Sequence, residues 1–228
     1  MIFGKIDYIN LLPFHIFLKQ SNLNSAFKKA VEHKKGVPSS INNAFKKRRV
    51  SAAFISSIKS NHSTIKTLPL GIVAKKSVKS VIVKKGKAST DPASATSNIL
   101  AQVLGIEGEV IIGDKALKKY IKNPENYVDL AKLWHEKYKL PFVFAVLCTN
   151  KYHTIYKKLA TAFKKRNIKI PRYILENYAK KRGVNEKEIR EYLKLITYNI
   201  QRKEKKALKL FLKKSKALGI KNKIHKKV

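Results

Sequence analysis

The chain has 228 residues, 44% of them hydrophobic, and a formal net charge of +37 from 51 Lys and Arg against 14 Asp and Glu. This length can bury one sizeable core or two smaller ones. The sequence holds no run of about 18 or more apolar residues, which excludes a membrane-spanning helix of ordinary length. The charge makes nucleic acid, or an anionic membrane surface, the first partner to consider.

Two features of the basic residues argue against specific recognition of nucleic acid. Only seven of the 51 are Arg, whereas the planar Arg side chain makes most specific contacts to phosphates and bases. The Lys residues are spread over every segment, and no DNA- or RNA-binding motif accompanies them. We therefore expect no specific nucleic-acid partner. A Lys-rich nucleic-acid-binding protein remains one alternative function, and weak, salt-sensitive binding fits the composition.

The few reactive side chains suggest neither disulfides nor a metal. The single cysteine, Cys148, excludes an internal disulfide and is typical of a reducing compartment. It follows the apolar run 142–147, which predicts a buried structural thiol. The six histidines are scattered, with no pair at helical spacing, so we predict no metal site. The first residues lack the features of a signal peptide, and we expect a cytoplasmic protein with no membrane association.

The first residues predict a strand that ends at a polar side chain. Alternating apolar residues over 2–8 indicate the strand, and Pro13 suits the first position of the helix that follows. Asn10 then lies in a strand-to-helix loop at the carboxyl end of a strand, where open α/β sheets bind their ligands. The alternative is that Asn10 only forms the turn, since Asn tolerates left-handed backbone.

Periodicity and breakers predict the remaining elements in chain order. The first part predicts a strand at 27–31, a helix from Ser39 or Ser40 to about Arg48, and strands at 52–55, 70–74 and 78–83. The middle predicts a short strand from 88 leading into a helix to 104, a strand at 109–112, helices at 115–120 and 128–138, and a strand at 140–147. The last part predicts helices at 152–163, 170–181, 186–195 and 201–218, then a frayed tail after Gly219.

This order predicts two α/β lobes, with the last helices returning to the first lobe. We place lobe one at residues 1–77 plus 175–228, and lobe two at residues 78–174.

Two further positions are candidates for chemistry. The helix that starts near Ser94, with Asp91 or Ser94 as its N-cap, presents open backbone N–H groups that attract a carboxylate or a phosphate, although any helix can begin this way. Asp114 follows a strand and Gly113, again at a carboxyl end. It either caps the next helix or takes part in the chemistry.

Six short blocks together resemble the chorismate dehydratase family of the futalosine route to menaquinone. The blocks are Gly4–Phe14, Gly36–Ser39, Ile55–Ile58, Ser94–Ser97, Ile112–Leu117 and Leu140–Ala145. They occur in the order and at the spacing of that family up to about residue 147, with weaker similarity in the helical tail. The chain departs from the family at 48–51, where Arg48-Arg49-Val50-Ser51 replaces a Gly-x-x-Asp pattern, and in the segment after Ser57.

The resemblance implies a fold like that of the type II periplasmic binding proteins, in which two α/β lobes hold a ligand in the cleft between them. It implies dehydration of chorismate to 3-[(1-carboxyvinyl)oxy]benzoate, without a metal or an organic cofactor. It predicts a catalytic role for Asn10 and Asp114. It also predicts that the substrate is bound by Asn10, Ser56, Ser57, Ser80, Ser94, Thr96, Ser97, Gly113 and Phe144.

The sequence does not identify the catalytic base. Asp114 is the one carboxylate in the motifs that is placed for it, and the alternative acceptor is the side-chain carboxylate of the substrate. Three other interpretations of the whole chain are a non-catalytic small-anion binding protein of the same fold, the sister enzyme that makes dihydroxynaphthoate, and the Lys-rich nucleic-acid binder. The block from Tyr8 to Pro13 resembles the dehydratase rather than the sister enzyme.

Overall fold

In the computed structural model, which describes residues 1–219 apart from the side chains of 31–33, the strands form two separate sheets. The larger sheet has six strands: β1 (Phe3–Ile6), β2 (Lys35–Gly36), β3 (Ala52–Ser56), β4 (Lys66–Ala74), β8 (Phe142–Thr149) and β9 (Ile196–Asn199). The smaller sheet has three: β5 (Val81–Lys84), β6 (Glu109–Ile112) and β7 (Tyr127–Asp129). The predicted frayed tail lies outside the described residues.

The larger sheet is mixed and has the strand order β2-β1-β3-β8-β4-β9. Strand β1 is parallel to β2 and β3, whereas the pairings of β8 with β3 and β4, and of β4 with β9, are antiparallel. The smaller sheet, in the order β6-β5-β7, is antiparallel. The larger sheet contains the strands that the sequence predicted at 52–55, 70–74 and 140–147, and the smaller sheet contains the one predicted at 109–112. Some strand ends are shifted by a few residues.

Helices cover both sheets. Between β1 and β4 lie α1 (Leu12–Gln20), α2 (Ser25–His33), α3 (Pro38–Lys46) and α4 (Ser57–Ser60). Between β5 and β8 lie α5 (Ala95–Leu104), α6 (Gly113–Lys122) and α7 (Leu130–Tyr138). After β8 lie α8 (His153–Lys165), α9 (Arg172–Arg182), α10 (Glu186–Lys194) and α11 (Arg202–Ala217). We call the part from β5 to α7 the small lobe and the rest the large lobe.

Strand β8 returns to the large lobe earlier than the sequence suggested. The predicted boundary at residue 174 assigns residues 142–149 to lobe two, but β8 pairs between β3 and β4 in the larger sheet. The chain therefore crosses between the lobes near residues 75–80 and 139–141. At the first crossing the Asp129 carboxylate accepts hydrogen bonds from the N–H groups of Val78 and Lys79, both at 2.8 Å, which fixes the path of the chain there.

Several local predictions were wrong: the segment from 88 forms no named strand, and residues 128–129, predicted as helical, belong to β7. Residues 27–31, predicted as a strand, belong to α2, because the Asn24 side chain caps this helix by accepting the Phe27 N–H at 2.8 Å. Strand β9 was not predicted, since its four residues directly follow a long helix and form their sheet pairs with β4, far away in sequence. The predicted buried thiol is confirmed: Cys148 is fully buried in β8.

An aromatic cluster fixes α1 against the larger sheet. The Phe14 ring lies 5.0 Å from that of Phe54 and 5.1 Å from that of Phe163, both edge to face, and 5.6 Å from that of Phe3. These rings are all buried, and such contacts add to the stabilisation that burial provides. The turn between β1 and α1, which carries Asn10, is thus held at both ends by core residues. Within residues 1–219 no helix is both long and apolar enough to span a membrane.

Candidate functional site

A small cavity lies between the two lobes, at the carboxyl end of β1. Its volume is about 50 Å³, and both lobes contribute to its wall. The large lobe supplies Tyr8 and Asn10, which follow β1, and the small lobe supplies Ile112 and Gly113 at the junction of β6 and α6. Ligand sites commonly have volumes of roughly 300 Å³ or more, so this cleft is narrower than a site of ordinary size.

Most of the predicted site residues lie in the wall of this cavity. The residues that do are Asn10, Ser56, Ser80, Ser94, Ser97, Gly113 and Phe144. The predicted residues Ser57, Thr96 and Asp114 are not part of the wall. The fold thus brings together predicted residues from six separate segments, and the chemical roles assigned to them stay predictions.

Asn10 lies in a short 3₁₀ turn, Ile9–Leu11, rather than in an open loop. Its backbone carbonyl accepts a hydrogen bond from the Tyr198 hydroxyl at 2.7 Å, which ties the turn to β9. Its side-chain Oδ1 is buried and has no hydrogen-bond partner among the described residues. A buried acceptor without a partner is costly, so this oxygen is suited to a ligand that brings a donor.

Tyr192 is a residue of the site region that the sequence did not single out. Its buried hydroxyl lies 2.8 Å from Ser80 Oγ. Burial raises the pKa of Tyr192 above its usual value, although the hydrogen bond with Ser80 opposes the shift. The phenol therefore stays neutral and orients Ser80 in the cleft wall. Local spacing gives no signal for this contact, which joins α10 to the start of the small lobe.

Three helices direct their N-termini at the cavity. The wall includes residues from the starts of three helices. These are Pro38 of α3, Ser94 and Ser97 of α5, and Gly113 of α6. The partial positive charge at a helix N-terminus favours an anion. Among the residues that the structure describes, the wall contains no Lys, Arg or His and no Asp or Glu. An anion in the cleft would thus meet helix termini, hydroxyl groups and an amide. It would not meet a cationic side chain of the wall.

The start of α5 confirms Ser94, rather than Asp91, as the N-cap. Ser94 Oγ accepts the Ser97 N–H at 3.2 Å and lies 2.8 Å from Ser97 Oγ. The buried Asp91 instead accepts the Ala93 N–H at 2.9 Å and forms an ion pair with Lys115 at 3.1 Å. The two serines of the cleft wall are therefore ordered by each other.

Thr96 and Ser57 connect α5 with α4 behind the cavity wall. Their hydroxyl oxygens lie 3.4 Å apart, and Thr96 Oγ1 accepts the Ile58 N–H at 3.3 Å. Both residues are fully buried or nearly so. The structure places these two predicted substrate-binding residues in a contact between the lobes.

Ser56 is positioned by Asn42, a residue that the sequence did not single out. The Asn42 side chain donates to Ser56 Oγ at 2.8 Å and accepts the Ser56 N–H at 3.2 Å. The pair joins α3 to the end of β3, so the Ser56 hydroxyl enters the cleft with its orientation fixed.

Asp114 does not cap its own helix, so the alternative of a simple cap was wrong. The residue lies in the first turn of α6, and its two oxygens reach into the other lobe. Oδ1 accepts the Ile9 N–H at 3.0 Å, and Oδ2 pairs with Arg182 Nε at 2.5 Å. Burial raises the pKa of Asp114 above its usual value, against the opposing effects of the Ile9 hydrogen bond and the Arg182 charge.

Arg182, at the end of α9, is the centre of this connection. Its guanidinium donates to the Asp7 carbonyl at 2.9 Å, lies 3.3 Å from Asp7 Oδ2, and stacks 4.0 Å from the Tyr178 ring centre. Tyr178 in turn donates to Asp7 Oδ1 at 2.9 Å. Burial acts to raise the pKa of Asp7, but the Tyr178 hydrogen bond and the charges of Lys5 and Arg182 together lower it.

Gly113 is required by the ring of Tyr8. The glycine has a φ of +74°, and a Cβ at this position would lie 2.7 to 3.0 Å from three ring atoms of Tyr8. Burial, with the negative charges of Asp91 and Asp114, raises the pKa of Tyr8 to about 12. The close approach of backbone and ring closes the cleft on one side with a neutral phenol.

The architecture is that of a two-lobe, periplasmic-binding-protein-like protein, and the candidate site lies between the lobes. A protein of Archaeoglobus fulgidus has the same fold, with a TM-score of 0.70 at 14% identity over 96% of this chain and 97% of that one. A Candida albicans protein described as having the generic periplasmic binding protein fold gives a TM-score of 0.59 at 12% identity, over 96% and 90% of the two chains. At these identities the likeness shows the fold alone. The fold class predicted from the sequence is confirmed.

Sequence similarity identifies the family, which the structural similarity alone does not. The model of a family described as menaquinone biosynthesis matches residues 1–107 and 95–217. A chorismate dehydratase of Campylobacter jejuni is 53% identical over 222 residues, which are 96% of this chain and 100% of that protein. The chain belongs to the menaquinone biosynthesis family.

Proposed function

We propose that this protein is a chorismate dehydratase that removes water from chorismate and forms 3-[(1-carboxyvinyl)oxy]benzoate. The observation that carries the proposal is the interlobe cleft, whose wall combines Asn10 with hydroxyl groups and three helix N-termini, in a chain 53% identical to a protein of that name. A place in the futalosine route to menaquinone and a cytoplasmic location belong to the same proposal.

The character of the cleft suits a substrate with two carboxylates. Chorismate carries one carboxylate on its ring and one on its enolpyruvyl side chain. Helix N-termini and hydroxyl groups hold carboxylates without the strong, fixed pairing that Lys or Arg would give. We assign one carboxylate to the start of α5, at Ser94 and Ser97, and the remaining polar groups of the substrate to Asn10, Ser56 and Ser80.

The reaction needs positioning and stabilisation of charge more than a powerful reagent. Chorismate loses its ring hydroxyl group and a hydrogen from the neighbouring ring carbon, and these leave as one water molecule while the ring becomes aromatic. The aromatic product makes the overall step strongly favourable. The protein then has to hold the ring and its leaving hydroxyl group in one geometry and to stabilise the charge that develops.

The proton acceptor follows from what the cleft wall contains. Among the described residues, its one ionisable side chain is Tyr8, and a phenol with its pKa raised to about 12 is a poor base at neutral pH. Asp114 is occupied by Ile9 and Arg182. We infer that the enolpyruvyl carboxylate of the substrate takes the ring proton, and that Asp114 acts as a positioning residue.

Substrate entry requires the lobes to separate. The cavity of about 50 Å³ is far smaller than common ligand sites, so it must widen before chorismate can bind. The two crossings of the chain near residues 75–80 and 139–141 are the natural hinge for such a movement. Closure over the bound substrate would then exclude water from the reacting ring.

The decisive experiment is to incubate the purified protein with chorismate and follow the mixture by mass spectrometry and ultraviolet absorbance. We expect a product that is lighter by one water and has the absorbance of an aromatic ring. Heat-denatured protein is the control for spontaneous breakdown of chorismate. Binding without conversion would identify a non-catalytic anion-binding protein of the same fold. If chorismate neither binds nor reacts, the proposal fails and nucleic acid becomes the next partner to test.

A further inference from the structure

A groove of about 710 Å³ lies on the outer face of the large lobe. It is formed by the end of α8, the segment 166–170, the last turn of α10 and the edge strand β9. None of its lining residues also lines the interlobe cleft. The groove is thus a separate concave surface, and its volume is that of a small-molecule site.

The floor of the groove is apolar and partly aromatic. The rings of Phe163 and Tyr198 meet edge to face, with their centres 5.2 Å apart, and Ile170 and Leu193 extend this surface. Phe163 is buried and Tyr198 is half-buried, so both rings are held in place by the core beneath them. A floor of this kind offers a planar ring an apolar, rigid surface on which to pack.

The charged groups of the groove are all positive. They are Lys164, Arg166, Lys169, Arg190 and Lys194, and within the described part of the chain no Asp or Glu lines the groove. Lys194 pairs with Glu191 at 2.6 Å. In the part of the chain that the structure describes, none of the other four forms an ion pair. This contrasts with Arg172 and Arg182, which both pair with carboxylates.

We propose that this groove binds an aromatic anion, with the ring on the apolar floor and its carboxylate or sulfonate among the basic residues. Basic groups that are not neutralised by carboxylates, around an apolar floor, raise the local concentration of small anions. The aromatic floor and the concave shape favour a compact amphipathic molecule over a nucleic-acid backbone, which presents a line of phosphates to an exposed basic surface. The inference does not depend on the proposed dehydratase activity.

The test uses 8-anilinonaphthalene-1-sulfonate, an aromatic sulfonate whose fluorescence reports contact with apolar surface. We expect saturable binding of the probe to the wild-type protein. Reversing two of the groove charges in the double variant Arg166→Glu with Arg190→Glu should weaken the affinity by about tenfold or more, because the attraction to the sulfonate is largely lost. Circular dichroism and thermal unfolding show whether the variant is folded.

The matched control is the double variant Lys205→Glu with Lys209→Glu, which changes the net charge equally on the exposed face of α11. It should bind the probe as the wild-type protein does, and saturating chorismate should not displace the probe from either. Equal weakening in both double variants would mean that only net charge matters and would overturn the proposal. Displacement by chorismate together with unchanged binding to the groove variant would place the probe in the cleft and overturn it as well. Fluorescence is read without turnover, so an inactive protein leaves this test intact.

Discussion

Arg182 Nε lies 2.5 Å from Asp114 Oδ2, and the same guanidinium donates to the Asp7 carbonyl at 2.9 Å. Asp114 belongs to the small lobe, whereas Asp7 and Arg182 belong to the large lobe. The arginine therefore joins the two lobes at the edge of the cleft. Its side chain is only 8% exposed, so water screens the pair with Asp114 weakly.

For Asp114→Asn we expect a larger effect on stability than on chemistry. The variant keeps a hydrogen-bonding side chain but loses the charge that Arg182 pairs with, which should lower the free energy of unfolding by about 1–3 kcal/mol. Turnover should fall by less than about tenfold, well short of the loss expected for a general base. Thermal unfolding and the rate of chorismate dehydration measure the two effects.

Arg182→Met provides the comparison for this variant. It breaks the same connection without touching Asp114, so it should reduce stability in the same direction and also leave most of the turnover. A loss of kcat of about 1,000-fold or more in Asp114→Asn alone, with native stability, would instead identify Asp114 as the base.

For Asn10→Ala we expect the opposite balance. Asn10 Oδ1 has no partner in the described residues, so its removal should change the melting temperature little. Turnover should fall by roughly 100- to 1,000-fold, the range for removing one group that stabilises developing charge. The exposed Asn61→Ala is a control of the same chemistry outside the cleft. Full activity in Asn10→Ala would contradict the assignment of the cleft as the active site.

Gly113→Ala and Gly105→Ala form a matched pair. The two glycines have nearly equal φ angles, +74° and +71°, but a Cβ meets the Tyr8 ring only at Gly113, and at Gly105 it meets nothing within 4 Å. Both variants should lose about 1–2 kcal/mol of stability from the left-handed backbone. Only Gly113→Ala should also lose turnover, because its methyl group displaces Tyr8 in the cleft wall. Equal turnover in the two variants would show that the position of Tyr8 does not matter.

The pH dependence of the reaction should be independent of Tyr8. A phenol whose pKa is raised to about 12 is neutral at lower pH and does not ionise between pH 7 and pH 10. We therefore expect the kcat/KM profiles of the wild-type protein and of Tyr8→Phe to have the same shape over this range. An alkaline limb present in the wild-type protein and absent from Tyr8→Phe would show that the phenol does titrate there.

The sequence predicted those parts of the site that depend on neighbours along the chain. Pro13 marked the start of a helix, Ser94 was one of two named candidates for the cap of α5, and Asn10 follows a strand in the cleft wall as expected. Each of these features follows from backbone preferences within a few residues. They are local, and spacing in the sequence is enough to find them.

The contacts that complete the site could not be predicted in this way. Arg182 reaches Asp114 across 68 positions, and Tyr192 reaches Ser80 across 112. Nothing in the residues around Asp114 distinguishes a cap from a partner in the other lobe. The same limit applies to β9, whose four residues become a strand only because β4 offers them an edge to pair with.

The turn after β1 has a consequence for the order in which the molecule matures on the ribosome. Asp7 and Asn10 leave the ribosome well before Arg182 and Tyr198, whose side chains hold the backbone carbonyls of Asp7 and Asn10. Chains fold largely as they are synthesised, from the N-terminus onward. A nascent chain with β1 and its turn already formed therefore still lacks the supports of Asn10. We expect chains that end before residue 182 to be inactive, however well their early elements have folded.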